Sequence, residues 1–179
     1  MNLIAFLFQV ISLSVPILVA GVVLIAGIKN RWLSRLAIPI DNGRNVFGDN
    51  KTWRGVLIYA VVGTSITWVL HLSGSNWAHP IYQSNPWVLG LSMSACYVAG
   101  ELINSFIKRR LGLRPGQSTG RLQAFFDNTD GALAVGALLI IGYQVELNFL
   151  LASFFVTLAL HASTDAVMRK IGLKSKQHK

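Results

Sequence analysis

The chain has 179 residues, 53% of them hydrophobic and 13% charged, whereas soluble domains carry about 25% charged residues. Its 16 Lys and Arg against 7 Asp and Glu leave a net charge of +9. That combination points to one compact membrane-embedded unit; the hydrophobicity excludes disorder, and a lone Cys96 excludes a disulfide framework or a thiolate zinc site.

Five membrane-spanning helices are expected, since a span needs about 20 mostly apolar residues. The first covers residues 3–28, is uncharged, contains Pro16 and lacks the cationic n-region of a signal peptide. The second covers residues 55–72 and the third 86–107, which carries Glu101. The fourth covers residues 124–143, with Asp127 and Asp130 near its start, and the fifth 147–168, with His161 and Asp165 near its end. Every Lys and Arg falls in the loop 29–54, in the loop 108–123 or after the fifth span, in a tail spanning 169–179. The connections around Ser73–Asn85 and Glu146 have none. The positive-inside rule then predicts an all-α, polytopic, single-domain membrane protein with its N-terminus outside and C-terminus cytoplasmic. Its location is the cytoplasmic (inner) membrane, and its basicity belongs to that membrane face, so nucleic acid is not an expected partner. Trp68, Trp77 and Trp87 fit an outer interfacial belt, and His71 and His79 look incidental.

Six of the seven acids, all but Glu146, fall at or just inside the basic face. Acids at membrane depth mark functional sites by default. Glu101, Asn104, Ser105 and Lys108 recur at i, i+3, i+4 and i+7, a polar stripe on one helix face. The bland alternative is interhelical hydrogen-bonding glue. Asp127 and Asp130, three apart, share a face and repel unless a cation lies between them. Mg²⁺ suits such a pair, because it takes one or two carboxylates plus substrate phosphates; salt bridges to Arg121 or Arg114 are the alternative. The first basic loop interleaves Arg44, Lys51 and Arg54 with Phe47 and Trp53. It serves equally as an anion clamp or a lipid-headgroup contact. On the fifth span His161, Thr164, Asp165 and Arg169 form another polar face, with an Asp165–Arg169 pair the simpler account. Clustered acids and bases on one face suit a Mg²⁺–nucleotide reacting with a lipid head group, and no Walker or Rossmann glycine motif is present.

The stretch Gly100–Gly116, with Ser105-x-x-Lys108-Arg109, followed by Phe126-Asp-Asn-Thr-Asp130, resembles the CDP-archaeol synthase family. That family is one branch of the CTP-dependent cytidylyltransferases, which include bacterial phosphatidate cytidylyltransferase. The Phe47–Gly55 segment resembles the family's first inner loop, and the resemblance covers essentially the whole chain. The His-Gly-Gly segment of the larger bacterial enzyme is missing, and Phe126-Asp-Asn-Thr-Asp130 replaces the archaeal Leu-Asp-Gln-Leu-Asp. The acid pair itself is intact.

The resemblance implies transfer of CMP from CTP to a lipid phosphate, giving pyrophosphate and a CDP-lipid of the CDP-archaeol or CDP-diacylglycerol type. It implies Mg²⁺ held by Asp127 and Asp130 with help from Glu101, and catalytic roles for Asp127, Asp130, Lys108 and Glu101. Lys51, Arg54, Arg109, Arg44 and Ser105 would bind the CTP phosphates. The expected partners are CTP, the bilayer and its lipid phosphate, and a homodimer is compatible with the sequence. The competing expectation is a small ion- or proton-coupled transporter using Glu101 and Asp165. A CDP-alcohol phosphatidyltransferase is excluded, because its Asp-Gly-x-x-Ala-Arg signature is absent.

Overall fold

The computed structural model describes residues 2–74, 77–114 and 120–172, without the side chains at 121, 122, 124, 128, 165 and 169. The side chain of Asp165 and residues 173–179 of the expected tail therefore lie outside the described residues. Helices dominate: α1 (Leu3–Lys29), α2 (Trp53–Ser73), α3 (Pro86–Arg110), α4 (Arg121–Tyr143) and α5 (Leu147–Lys170). No strand occurs among the described residues, only an isolated bridge between Pro39 and Thr52. The helices overrun the apolar segments by up to three residues, and they do so into basic residues such as Lys29, Arg54, Arg109 and Lys170. Cations are favoured at helix C-termini, where α1, α3 and α5 carry theirs.

Local sequence explains several helix ends. Asn2 caps α1 by accepting the Ala5 N–H at 2.8 Å, and α1 continues unbroken through Pro16. Asn85 caps α3 by accepting from Trp87 and Val88, and Pro86 at the first position has no N–H to leave unpaired. Gln144 ends α4 in the left-handed region at φ 53°, and the tight turn after it starts α5.

Among the described residues, α1, α2, α3 and α5 (over Leu147–Met168) are long and apolar enough to cross a membrane. Within α4 (Arg121–Tyr143) the described residues include a shorter apolar helix, Thr129–Tyr143. Many large apolar side chains face outward, among them Leu3, Leu72, Phe155 and Ile141, the last 81% exposed. A bilayer accounts for such a surface, and water does not.

Packing runs α5–α1–α2–α3–α4, with α4 and α5 touching only thinly. Ser14 on α1 meets Thr157 on α5, and Lys29 Nζ reaches the Gly172 carbonyl, so these two helices run parallel. On α3, Ser94 donates to the Tyr59 carbonyl of α2, and Asn104 and Lys108 meet α4, in antiparallel register. The end away from the basic loops is tightly packed by Val10, Tyr82, Leu89, Met93, Leu139 and Phe149. There both His71 and His79 turn out to be structural. His71 Nδ1 bonds the Tyr82 carbonyl, and the His79 N–H donates to Ser12 Oγ while its ring Nδ1 accepts from Ile81. His79 lies outside the helices, and burial pushes its pKa down against the opposing charge of Glu146.

Candidate active site

The site forms where α3 and α4 approach most closely. Gly100 sets that approach: an added Cβ would meet the Asp130 carbonyl oxygen at 2.6 Å and the Ala134 Cβ at 2.8 Å. One turn away, a Cβ on Gly131 would strike the Tyr97 ring at 2.5 Å. Small residues at such crossings let helix backbones draw together, and the side chains just beyond them then meet. Asn104 Nδ2 donates to Asp127 Oδ1 at 2.9 Å and to Asp130 Oδ2 at 2.8 Å. Lys108 Nζ donates to Asp127 Oδ2 at 2.7 Å, and the Gly131 N–H donates to Asp130 Oδ1 at 2.6 Å. One amide thus bridges two carboxylates that would otherwise repel.

The same stripe of α3 serves a second neighbour. Glu101 takes an ion pair from Lys51, fifty residues earlier in the chain. The loop before α2 delivers that lysine. Its Asp41 carboxylate accepts backbone N–H groups from Gly43, Val46, Phe47 and Gly48. The turns it encloses place Asn42, Gly43, Asn45 and Gly48 at positive φ. The Ile40 N–H then bonds the Lys51 carbonyl, and the Trp53 N–H bonds the Ile38 carbonyl. Asp41 lies outside the spanning helices, and the Phe47 N–H above all, with Val46, Gly48 and Gly43, holds its carboxyl below the usual carboxylate range despite some burial.

Asp127, Asp130 and Lys108 meet around Asn104, while Glu101 is brought to Lys51 on the other side of the α3 stripe. Ser105 is buried one position beyond Asn104. Arg109 has Nε and Nη1 buried without a hydrogen-bond partner. Arg54 reaches the Trp32 carbonyl through Nη1 at 3.4 Å, with its Nε buried and unpartnered. Arg44 is exposed on the loop, its backbone N–H on the Asp41 carbonyl. Asn104 and Asp41 are the residues whose roles sequence reasoning missed. Asn104 lay on the recognised stripe, and Asp41 opened the recognised loop next to an Asn-Gly turn.

The two ion pairs and Asp130 together comprise three carboxylates and two ammonium groups, leaving one negative charge uncompensated. Among the described residues no three His, Cys, Asp or Glu form a closed metal-ligand group. Two aspartates bridged by one amide nonetheless fit a hard cation that completes its shell with phosphate oxygens and water. Binding such a dication would turn the local charge from negative to positive, as a polyphosphate requires.

A cavity of about 720 Å³ leads to this cluster between α1, α4 and α5. Its walls are mostly apolar, with Leu13, Ile17, Val22, Leu133, Ile140 and Phe154 among them, and Glu101, Asp127, His161 and Thr164 supply polar groups.

The family model for CarS-like CDP-archaeol synthase matches residues 3–178. The chain belongs to the CDP-archaeol synthase family. It is 30% identical over 139 residues to a CDP-archaeol synthase of Sulfolobus acidocaldarius, covering 76% of this chain and 77% of the relative. With that of Staphylothermus marinus it shares 30% identity over 164 residues, 88% of this chain and 84% of the relative. A shorter match to the Pyrococcus furiosus CDP-archaeol synthase reaches 42% identity over 86 residues, 44% of this chain and 48% of the relative. No solved structure matches the chain significantly.

Proposed function

We propose that this protein is a CTP-dependent cytidylyltransferase that transfers CMP from CTP to a membrane lipid phosphate, releasing pyrophosphate and leaving a CDP-lipid. Family membership supports the reaction class. The observation that carries the reading is the cavity, which is apolar along its walls and ends at Glu101 and Asp127. A lipid phosphate has that same division, with tails that belong among helices and a head that belongs beside charges. The product is of the CDP-archaeol type, with the CDP-diacylglycerol type as the broader alternative.

A phosphate oxygen of the lipid attacks the α-phosphorus of CTP. A new P–O bond forms, the α–β anhydride bond breaks, and its electron pair leaves with pyrophosphate. The phosphomonoester is already anionic at neutral pH, so no general base is needed. Lys51, Arg54, Lys108 and Arg109, with Arg44 at the loop rim, bind the triphosphate and stabilise the departing charge. Ser105 adds a hydroxyl on the same helix. Asp127 and Asp130, with Glu101 assisting, would hold Mg²⁺, which would supply positive charge to neutralise the phosphates. Asn104 keeps the two aspartates at one separation, and Asp41 keeps Lys51 within reach of Glu101.

In this reading all five helices span the inner membrane, α4 with its acidic first turns at the cytoplasmic rim. The N-terminus is outside, and the site opens to the cytoplasm where CTP is made. A transporter would need a polar route to the opposite end, and the packed cluster around Tyr82, Leu89 and Met93 speaks against one.

The test supplies purified protein with Mg²⁺, CTP and a panel of lipid phosphates, and follows pyrophosphate and CDP-lipid. Formation of CDP-lipid is expected, with Asp127→Asn reducing turnover at least 100-fold; ~2.7–4 kcal/mol is a usual cost for removing a charge-stabilising group from such a site. Absence of product with every lipid phosphate, or full activity in Asp127→Asn, would refute it.

A further inference from the structure

One face of α5 remains without a role in this scheme. Ser153, Thr157, His161, Thr164 and Met168 recur at helical spacing and all line the cavity. The hydroxyls farther from the basic end are already spent. Ser153 Oγ donates to the Leu150 carbonyl, and Thr157 Oγ1 donates to the Ser153 carbonyl and pairs with Ser14 Oγ at 2.6 Å. Ser163, on another face, donates to the Ala159 carbonyl. His161 and Thr164 differ: among the described residues neither side chain makes a hydrogen bond or ion pair, and both are half-buried.

Their depth matches the acids. At 1.5 Å per residue, Glu101 lies about 14 Å from the end of α3, Asp127 about 9 Å from the start of α4 and His161 about 14 Å from the end of α5. All three reach the same cavity. Its two polar walls are chemically opposite. The α3–α4 wall presents carboxylates suited to a cation, with Lys108 beside Asp127. The α5 wall presents an imidazole and a hydroxyl, both able to donate to phosphate oxygens. That wall also continues into the apolar surface of Leu150, Leu151 and Phe154, so a ligand held there keeps its tails in the greasy part. In-line phosphoryl transfer needs the attacking oxygen opposite the leaving one. The triphosphate-binding lysines sit on α3 and the loop before α2, whereas α5, among the described residues, packs chiefly against α1.

Resting on the cytidylyltransferase reading, we propose that His161, assisted by Thr164, binds the phosphate of the lipid acceptor and aims its oxygen at the α-phosphorus of CTP. The two residues serve the acceptor and not the nucleotide. The shared chemistry is a phosphomonoester, and a soluble glycerol phosphate should use the same donors without the benefit of the apolar wall.

The experiment reconstitutes full-length wild type, His161→Ala, His161→Gln and Thr164→Val in nanodiscs. It measures KM for lipid phosphate, KM for CTP and kcat, together with lipid-phosphate binding in the absence of CTP. His161→Ala should raise the lipid-phosphate KM and Kd about 10-fold, the scale of one hydrogen bond to a charged group, with KM for CTP unchanged. His161→Gln, which keeps a donor, should recover part of the loss, and Thr164→Val should show a smaller rise in the same constant. Soluble glycerol phosphate should bind far more weakly than the lipid and should lose affinity in the same variants. An unchanged lipid-phosphate Kd in His161→Ala, or a rise in KM for CTP instead, overturns the proposal. If wild type binds the lipid phosphate but forms no CDP-lipid, the transfer reading fails, and the binding arm still decides His161.

Discussion

Replacing Asn104 with leucine removes one amide and with it both bonds that tie Asp127 to Asp130, at 2.9 and 2.8 Å. Hydrogen bonds to charged groups contribute about 1.5–3 kcal/mol each. Asp127 keeps Lys108 and Asp130 keeps the Gly131 N–H, so roughly half of the summed loss is offset. About 1.5–3 kcal/mol remains, acting on carboxylates that now repel and drift apart. If those carboxylates hold the cation together, the apparent Mg²⁺ affinity of CDP-lipid formation should fall about 10- to 140-fold, at 1.4 kcal/mol per tenfold. The assay titrates Mg²⁺ at saturating CTP and lipid phosphate, with helical circular dichroism confirming that the variant is folded. A folded Asn104→Leu protein with a wild-type Mg²⁺ dependence would refute the role given to the amide and the geometry built on it.

Gly100→Ala should lower thermal stability by roughly 1–3 kcal/mol, as overpacking does, and should depress turnover. Its Cβ meets backbone at 2.6 Å and α4 must move away; a wild-type melting temperature and kcat would sink the claim. Asp41→Asn should loosen the first basic loop and raise KM for CTP. Because its carboxyl pKa is lowered in the fold, the stabilisation is complete above the ordinary value of 3.8 and is lost as pH falls through the lowered folded value. The difference between wild type and Asp41→Asn, followed by Trp53 fluorescence, should be full at neutral pH and shrink as pH falls below the ordinary carboxylate range; a gap that persists in strong acid would contradict this.

Much of the helical architecture was legible in the chain itself. Long apolar runs closed by basic residues announce helices, since hydrophobic length and end charge are local properties. The polar stripe of Glu101, Asn104, Ser105 and Lys108 was legible for the same reason, because helical periodicity alone puts those side chains on one face. Which neighbour each member of the stripe would meet was not. Glu101 turns to Lys51 while Asn104 and Lys108 turn to α4, a division that depends on how closely α3 and α4 cross at Gly100 and Gly131. The loop shows the same limit. Its bases could be read off the sequence, yet only the Asp41 carboxylate gathering four N–H groups decides that Lys51 points inward while Arg44 stays exposed. Residue spacing along the chain therefore determined the elements and their faces. Tertiary packing decided the pairings and opened the cavity between α1, α4 and α5, because contacts between residues far apart in sequence depend on side-chain volume and helix crossing, which no local pattern encodes.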